Sequence, residues 1–154
     1  MTLSRFLLAG SLALASLSAS AQALTFDKPE DAVAYRQQAF GLLETHFSNL
    51  TAMTLNRIPY DPLQARLDAN AIRVLSRLPF HAFPAGTAAP LAGSRATDQI
   101  WTAAPRYADS ARSLQQESDK IHGAVARGDL VQLRKTLNEA GAICRKCHDQ
   151  FRAR

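Results

Sequence analysis

Close to the end of the chain stand Cys144-Arg145-Lys146-Cys147-His148, the one run whose residue types and spacing dictate a definite chemistry. On a helix, residues three apart share a face, so thiols at that spacing can reach the vinyl groups along one haem edge and form thioethers. The histidine that follows can turn its imidazole beneath the ring and bind iron through a neutral nitrogen. Cys-x-x-Cys-His is thus the sequence form of covalent c-type haem attachment. Half of a zinc site is one competitor, but the chain has no further cysteine to complete it. A thioredoxin-like redox pair is another; it belongs beside a βαβ pattern, and none is legible here.

The start of the chain says where such a protein works. Met1 to Arg5 is short with one positive charge, Phe6 to Leu17 is almost wholly apolar, and small residues follow. Ala19-Ser20-Ala21 and Ala21-Gln22-Ala23 both fit the small-x-small rule, so residues 1–23 read as a secretory signal peptide cut after Ala21 or Ala23. The apolar run is too short to span a bilayer, and no later stretch approaches the ~20 residues needed. Residues 24–154 are therefore expected to form one soluble, exported, periplasmic domain with a real core. An oxidising compartment favours disulfides, yet both thiols are assigned to haem and none is left to pair. Lys and Arg number 18 against 13 Asp and Glu, formally +5; losing Arg5 leaves 17 against 13, or +4. The arginines are scattered from Arg36 to Arg154 without a dense run, which argues against nucleic acid and suits an acidic redox partner.

The elements that must position the motif follow from apolar spacing. Lys28-Pro29-Glu30-Asp31 opens a helix, with proline early and acids in the first turn. Val33, Phe40, Leu43, Phe47, Leu50 and Thr54 form its stripe, and Arg36 fills the gap on the inward face. Ile58-Pro59 is expected to end it. Asp61-Pro62 supplies N-cap and first residue of a second helix, whose stripe is Leu63, Leu67, Ala71, Val74, Leu75 and Leu78, stopped by Pro79. Prolines and glycines then mark a crossover loop to Arg95, with Phe80 and Phe83 packed onto something. Thr102 is expected to cap a third helix, with Pro105 in its first turn and Tyr107, Ala111, Leu114, Ser118, Ile121 and Val125 as its stripe. Gly128 ends it. Asp129 caps a fourth, whose seam runs through Leu130, Leu133, Leu137, Ala140 and Phe151 and carries both cysteines. Four amphipathic helices with short first–second and third–fourth connections imply an all-α, antiparallel up-down-up-down bundle, with haem in its core.

In that topology the last turns of the fourth helix lie level with the start of the first, the end of the second and the start of the third. Arg36, Phe40, Leu75, Phe80, Trp101 and Tyr107 then surround the haem. The same levelling screens ligands for the iron's sixth position. Met53 is 13 residues past Phe40, roughly 20 Å along the axis, and does not reach. His46 is displaced along and around the helix, and His122 lies near the far end of the third. His81 is at the right level but sits in a loop, where it faces solvent as readily as iron.

A haem motif at the C-terminal end of four helices resembles the cytochromes c′, the class II c-type cytochromes. The likeness covers essentially the whole mature chain: Phe26 to Val33, Tyr35-Arg36-Gln37, Pro59-Tyr60-Asp61, Leu78-Pro79-Phe80, Ile100-Trp101, Gly128-Asp129-Leu130, and Cys144 through Arg152. The resemblance implies one covalent haem c on Cys144 and Cys147, with His148 as sole axial protein ligand. It implies five-coordinate, high-spin iron whose sixth position faces an apolar side chain. Phe40 matches that distal place; some relatives carry methionine there, bind iron with it and act as plain electron carriers. Arg36 and Gln37 match residues near the haem edge and propionates, Arg152 a basic residue beside the axial histidine, and Phe80 a place where an aromatic often lines the haem. Trp101 and Tyr107, from the levelling, and Phe151, from the seam, complete the expected pocket. The family likeness further implies binding of nitric oxide and carbon monoxide, homodimers through the first two helices, and a role in nitric oxide scavenging or buffering. Apolar residues outside the stripes, Leu42, Leu55 and Ile72, agree with such a dimer.

Three function classes follow. A periplasmic gas-binding haem protein leads, because phenylalanine rather than methionine occupies the distal place. An electron carrier comes second, since that task prefers six-coordinate iron. A haem-free thiol module of Cys144 and Cys147 is the third. No substrate-converting constellation is legible, so the chain is not read as an enzyme.

Overall fold

Pro29, whose missing N–H costs nothing in a first turn, begins α1 (Pro29–Thr54), and Glu30 and Asp31 sit at its positive end. The computed structural model describes residues 24–154; the expected signal peptide, residues 1–23, lies outside them. α1 stops at Thr54, short of Ile58. Asn56 adopts a left-handed φ of 57°, and the Arg57 N–H turns back to Ala52 O at 2.9 Å. Asparagine tolerates that conformation better than most residues, so the helix closes before the proline is reached.

α2 (Pro62–Leu75) is capped by the Asp61 carboxylate, which accepts from the N–H groups of Leu63 and Gln64 at 2.8 and 3.3 Å. A single turn, α3 (Gln99–Thr102), precedes α4 (Ala104–Arg127). Thr102 is not the cap of α4, as expected from sequence; its hydroxyl donates back to Asp98 O at 3.2 Å, closing α3 on itself. Gly128, at φ 68°, ends α4 in a conformation that costs a glycine little, and the Asp129 carboxylate caps α5 (Leu130–Phe151) through the Gln132 N–H at 2.9 Å.

α1 packs on α2 and α5, and α4 packs on the same two, which closes an antiparallel up-down-up-down four-helix bundle. Leu50, Ile72, Ile121 and Leu133 are its fully buried centre. Each contributes about 1.5–3 kcal/mol by leaving water.

α2 buries a different face from the one its large apolar residues predict. Leu63, Leu67, Val74 and Leu78, expected inside, are 67, 54, 56 and 39 % exposed. Ala65, Asp68, Ala69 and Ile72 face inward instead, followed by Ser76 beyond the last turn; at about 100° per residue this is a rotation of roughly 140°. Two reasons apply. Alanines let α2 approach its neighbours closely, and the buried polar groups have partners waiting. Asp68 accepts from Gln64 Nε2 and pairs with His46 Nδ1, both at 2.9 Å, and the Ser76 and Ser118 hydroxyls meet at 2.9 Å. Ile72, offered as an outside residue, is thus 1 % exposed, whereas Leu42 and Leu55 are indeed exposed. Leu130 leaves the α5 seam and is 44 % exposed.

The crossover between α2 and α3 contains short 3-10 turns at Pro79–His81 and Leu91–Gly93. Its far end is strapped to the end of α5 by main-chain bonds from Thr97 N–H to Phe151 O at 3.0 Å and from Ala153 N–H to Arg95 O at 2.8 Å.

Candidate haem-binding site

Between α1, α4, α5 and the crossover lies a cavity of about 610 Å³, inside the roughly 300–1,000 Å³ range of cofactor clefts. α5 presents Cys144 and Cys147, half-buried in its wall, and His148 at its rim. Helical spacing puts both sulfurs on the inward seam, as expected. α1 contributes Arg36, Gln37 and Phe40.

An aromatic chain crosses the cavity. Phe40 meets Phe80 edge-on at 5.6 Å, Phe80 meets Tyr107 at 5.8 Å, and Tyr107 also contacts Phe83 at 5.3 Å and Phe151 at 5.4 Å. Such tilted geometry is the favourable one for aromatic rings. Trp101 and Leu75 are not in the lining. Trp101 stands behind it, donating its indole N–H to Phe83 O at 3.0 Å and so fixing the crossover.

Arg36 is 3 % exposed. Its Nη1 donates to Ala82 O at 2.9 Å and Thr87 Oγ1 at 2.7 Å, and its Nη2 to Thr87 O and to Ser94 Oγ at 2.8 Å. The guanidinium also lies 4.2 Å over the Phe83 ring. Burial lowers its pKa, and no carboxylate among the described residues pairs with it. Gln37 adds a bond from Nε2 to Gly93 O at 3.2 Å. Arg36 and Gln37 therefore pin the crossover onto α1.

Burial raises the pKa of both thiols, that of Cys147 to about 11, so both are neutral at physiological pH. Neutral thiols are poor redox nucleophiles. Desolvation and then the Arg152 charge lower the pKa of His148, which favours the neutral imidazole that a metal needs. Arg95 and Glu44 also act on His148 and line the cavity, and both escaped the sequence reading. Glu44 could have been found, because it lies one turn beyond Phe40 on the same helix. Arg95 comes to the site only through the strap onto α5, which has no sequence signature.

Among the described residues the cavity wall holds one histidine, His148, and no methionine. Met53 is buried in the bundle core, His46 is bonded to Asp68, and neither His81 nor His122 reaches the cavity.

The residues present fit a haem. The cavity is large enough and lined mostly by apolar and aromatic side chains, a Cβ added at Gly41 would meet nothing within 4 Å, and a Cys-Cys-His donor set stands on one wall. A model of the cytochrome C′ family matches residues 31–152. The chain belongs to the cytochrome c′ family. The cytochrome c′ of Alcaligenes xylosoxydans xylosoxydans is 37 % identical over 127 residues, covering 82 % of this chain and 97 % of that protein. That of Rubrivivax gelatinosus is 35 % identical over 127 residues, covering 82 % and 98 %. Among solved structures, the nitric oxide complex of a variant cytochrome c prime from Alcaligenes xylosoxidans superposes with a TM-score of 0.78 at 36 % identity, covering 84 % of this chain and 99 % of that one. Cytochromes c′ carry a covalently attached c-type haem, and the chain has the cavity and the two cysteines for one.

Proposed function

We propose that this cytochrome c′ is a periplasmic, five-coordinate, high-spin haem protein that binds small gases, nitric oxide and carbon monoxide, and serves in nitric oxide binding or detoxification. Cys144 and Cys147 carry the thioethers and His148 is the sole axial ligand from the protein. The observation that carries this reading is the cavity wall, which is lined by one histidine, His148 on α5, and by Phe40 on α1, with no second histidine and no methionine among the described residues that line it. The nitric oxide complex of the Alcaligenes relative supports it.

Bound haem supplies the iron at which a gas attaches. The chain supplies everything else. Buried neutral thiols stay available for attachment rather than oxidation, and neutral His148 keeps its lone pair for metal. Phe40 and Phe80 exclude water and offer no hydrogen bond, and Arg36 holds the crossover closed over the aromatic chain. No turnover is part of this reading. The haem-free thiol module is set aside, because the family carries haem and burial suppresses the thiolates.

An electron carrier is the alternative. One feature favours it: exposed His148 is flanked by Arg95 and Arg152, neither in an ion pair among the described residues, a surface suited to an acidic redox partner. The ferric absorption spectrum separates the two. A high-spin spectrum supports gas binding, and a low-spin one would overturn it in favour of electron transfer. The Cys144→Ala/Cys147→Ala double variant is expected to lose its haem to acid-acetone; retention would refute the attachment.

A further inference from the structure

His148 stands in the last turn of α5 and is exposed, so packing around the imidazole does not hold it. Its place depends instead on the backbone of that turn, the part of a helix most prone to fray, because the last four carbonyls have no intrahelical partner. Here two of them are taken up. The Arg152 N–H closes on His148 O at 3.1 Å, and the Thr97 N–H of the crossover donates to Phe151 O at 3.0 Å. Arg95 grips the tail beyond: its carbonyl accepts from the Ala153 N–H at 2.8 Å, while its Nε and Nη2 both donate to Ala153 O, at 3.0 and 2.6 Å. Between these bonds Ala96 and Arg152 pair as an antiparallel bridge. Phe151, 3 % exposed, clusters with Ala96, Ile100 and Ala103 alongside. The crossover side of this clamp is itself anchored, because the Ala96 N–H and Arg36 Nη2 both donate to Ser94 Oγ, at 3.2 and 2.8 Å.

We propose that Arg95 is a positioning residue for His148: residues 95–97 splint the last turn of α5 and so hold the imidazole in one pose for iron. The inference rests on the haem reading above, in which His148 is the axial ligand. An exposed ligand on a fraying turn samples many poses, and its bond to iron is weaker and more variable. Splinting the backbone narrows that range without crowding the imidazole. Arginine suits the task, because its planar guanidinium presents two N–H groups as a fork to a single carbonyl. Its positive charge also acts on His148, so bond and charge have to be separated.

The test uses the haem-loaded protein with Arg95→Ala, which trims an exposed side chain and leaves the bundle core untouched. Arg95→Lys keeps the charge and one donor, and Arg154→Ala removes an exposed charge just beyond the clamp. In Arg95→Ala, amide hydrogen exchange across residues 148–152 is expected to quicken about tenfold, as for the loss of one hydrogen bond from a charged donor. The iron–histidine stretching band of the ferrous protein, read by resonance Raman, is expected to broaden and fall in frequency. Arg95→Lys should recover part of both changes, and Arg154→Ala should cause neither. Unchanged exchange in Arg95→Ala would overturn the proposal, since the turn would then be held without Arg95. So would quickened exchange with an unmoved iron–histidine band, which would make the clamp a matter of stability alone. A band that moves as far in Arg154→Ala would overturn it too, by making the effect one of charge. A parent protein without covalent chromophore would refute the haem reading itself, a failure distinct from these.

Discussion

A phenyl ring can neither ligate iron nor donate a hydrogen bond, and Phe40 brings one from α1 into the wall of the cavity that His148 also lines. Phe40→Ala is expected to tighten and speed carbon monoxide binding to the ferrous protein, measured by flash photolysis. Because the ring is only partly buried, the stability loss should fall at or below the lower end of the about 3–5 kcal/mol found for buried phenylalanines. Phe40→Met offers a thioether and should move the ferric spectrum toward low spin. If both variants leave affinity and spin state unchanged, Phe40 is a packing residue only. Arg152 lines the cavity and its charge disfavours a second positive charge on His148. Arg152→Ala should therefore lower the reduction potential, an effect to be measured at low ionic strength, where screening is weakest. The cysteines, His148, Arg36 and Phe40 were legible because motif and helical period placed them in one register. Tyr107 was legible as a wall residue, but its hydroxyl, buried without a hydrogen-bond partner among the described residues, depends on what other elements fail to provide, which no local pattern encodes.

Element boundaries were readable where a cap dictates them. Asp61 and Asp129 start helices for a local reason, and Gly128 ends one for another. Asp61→Ala should cost about 1 kcal/mol, checked by chemical denaturation. The face of α2 was not readable, because burial there follows closeness of approach and polar partnership rather than side-chain size. The crossover's dependence on Arg36 was also hidden, since a charged residue on an inward face announces a partner without naming it. Arg36→Met is expected to leave Thr87 and Ser94 short of donors and to cost about 3 kcal/mol or more, with calorimetry as the check. A variant as stable as the parent would mean that the crossover is held by other contacts, the Trp101 bond foremost.

At the scale of the molecule, the turned α2 leaves Leu63, Leu67 and Val74 exposed on one face, with Leu78 exposed just beyond its end. Single exposed leucines are ordinary, but an apolar row along one helix is suited to a second copy of the same surface. Sedimentation velocity at micromolar concentration is expected to find a homodimer, and Leu63→Glu/Leu67→Glu to return it to a monomer with unchanged haem spectra. A monomeric parent protein would rule this out. The strap between the crossover and α5 carries a further consequence, for the order of events in time. Arg36 bonds to residues 51 and 58 positions later in the chain, and Thr97 to Phe151 near its end. None of these links can form within a local stretch, and long-range closures are the slow ones in folding. The strap therefore cannot close until the end of α5 has reached the crossover, and up to that point Arg36 and Gln37 are what tie the crossover to the bundle.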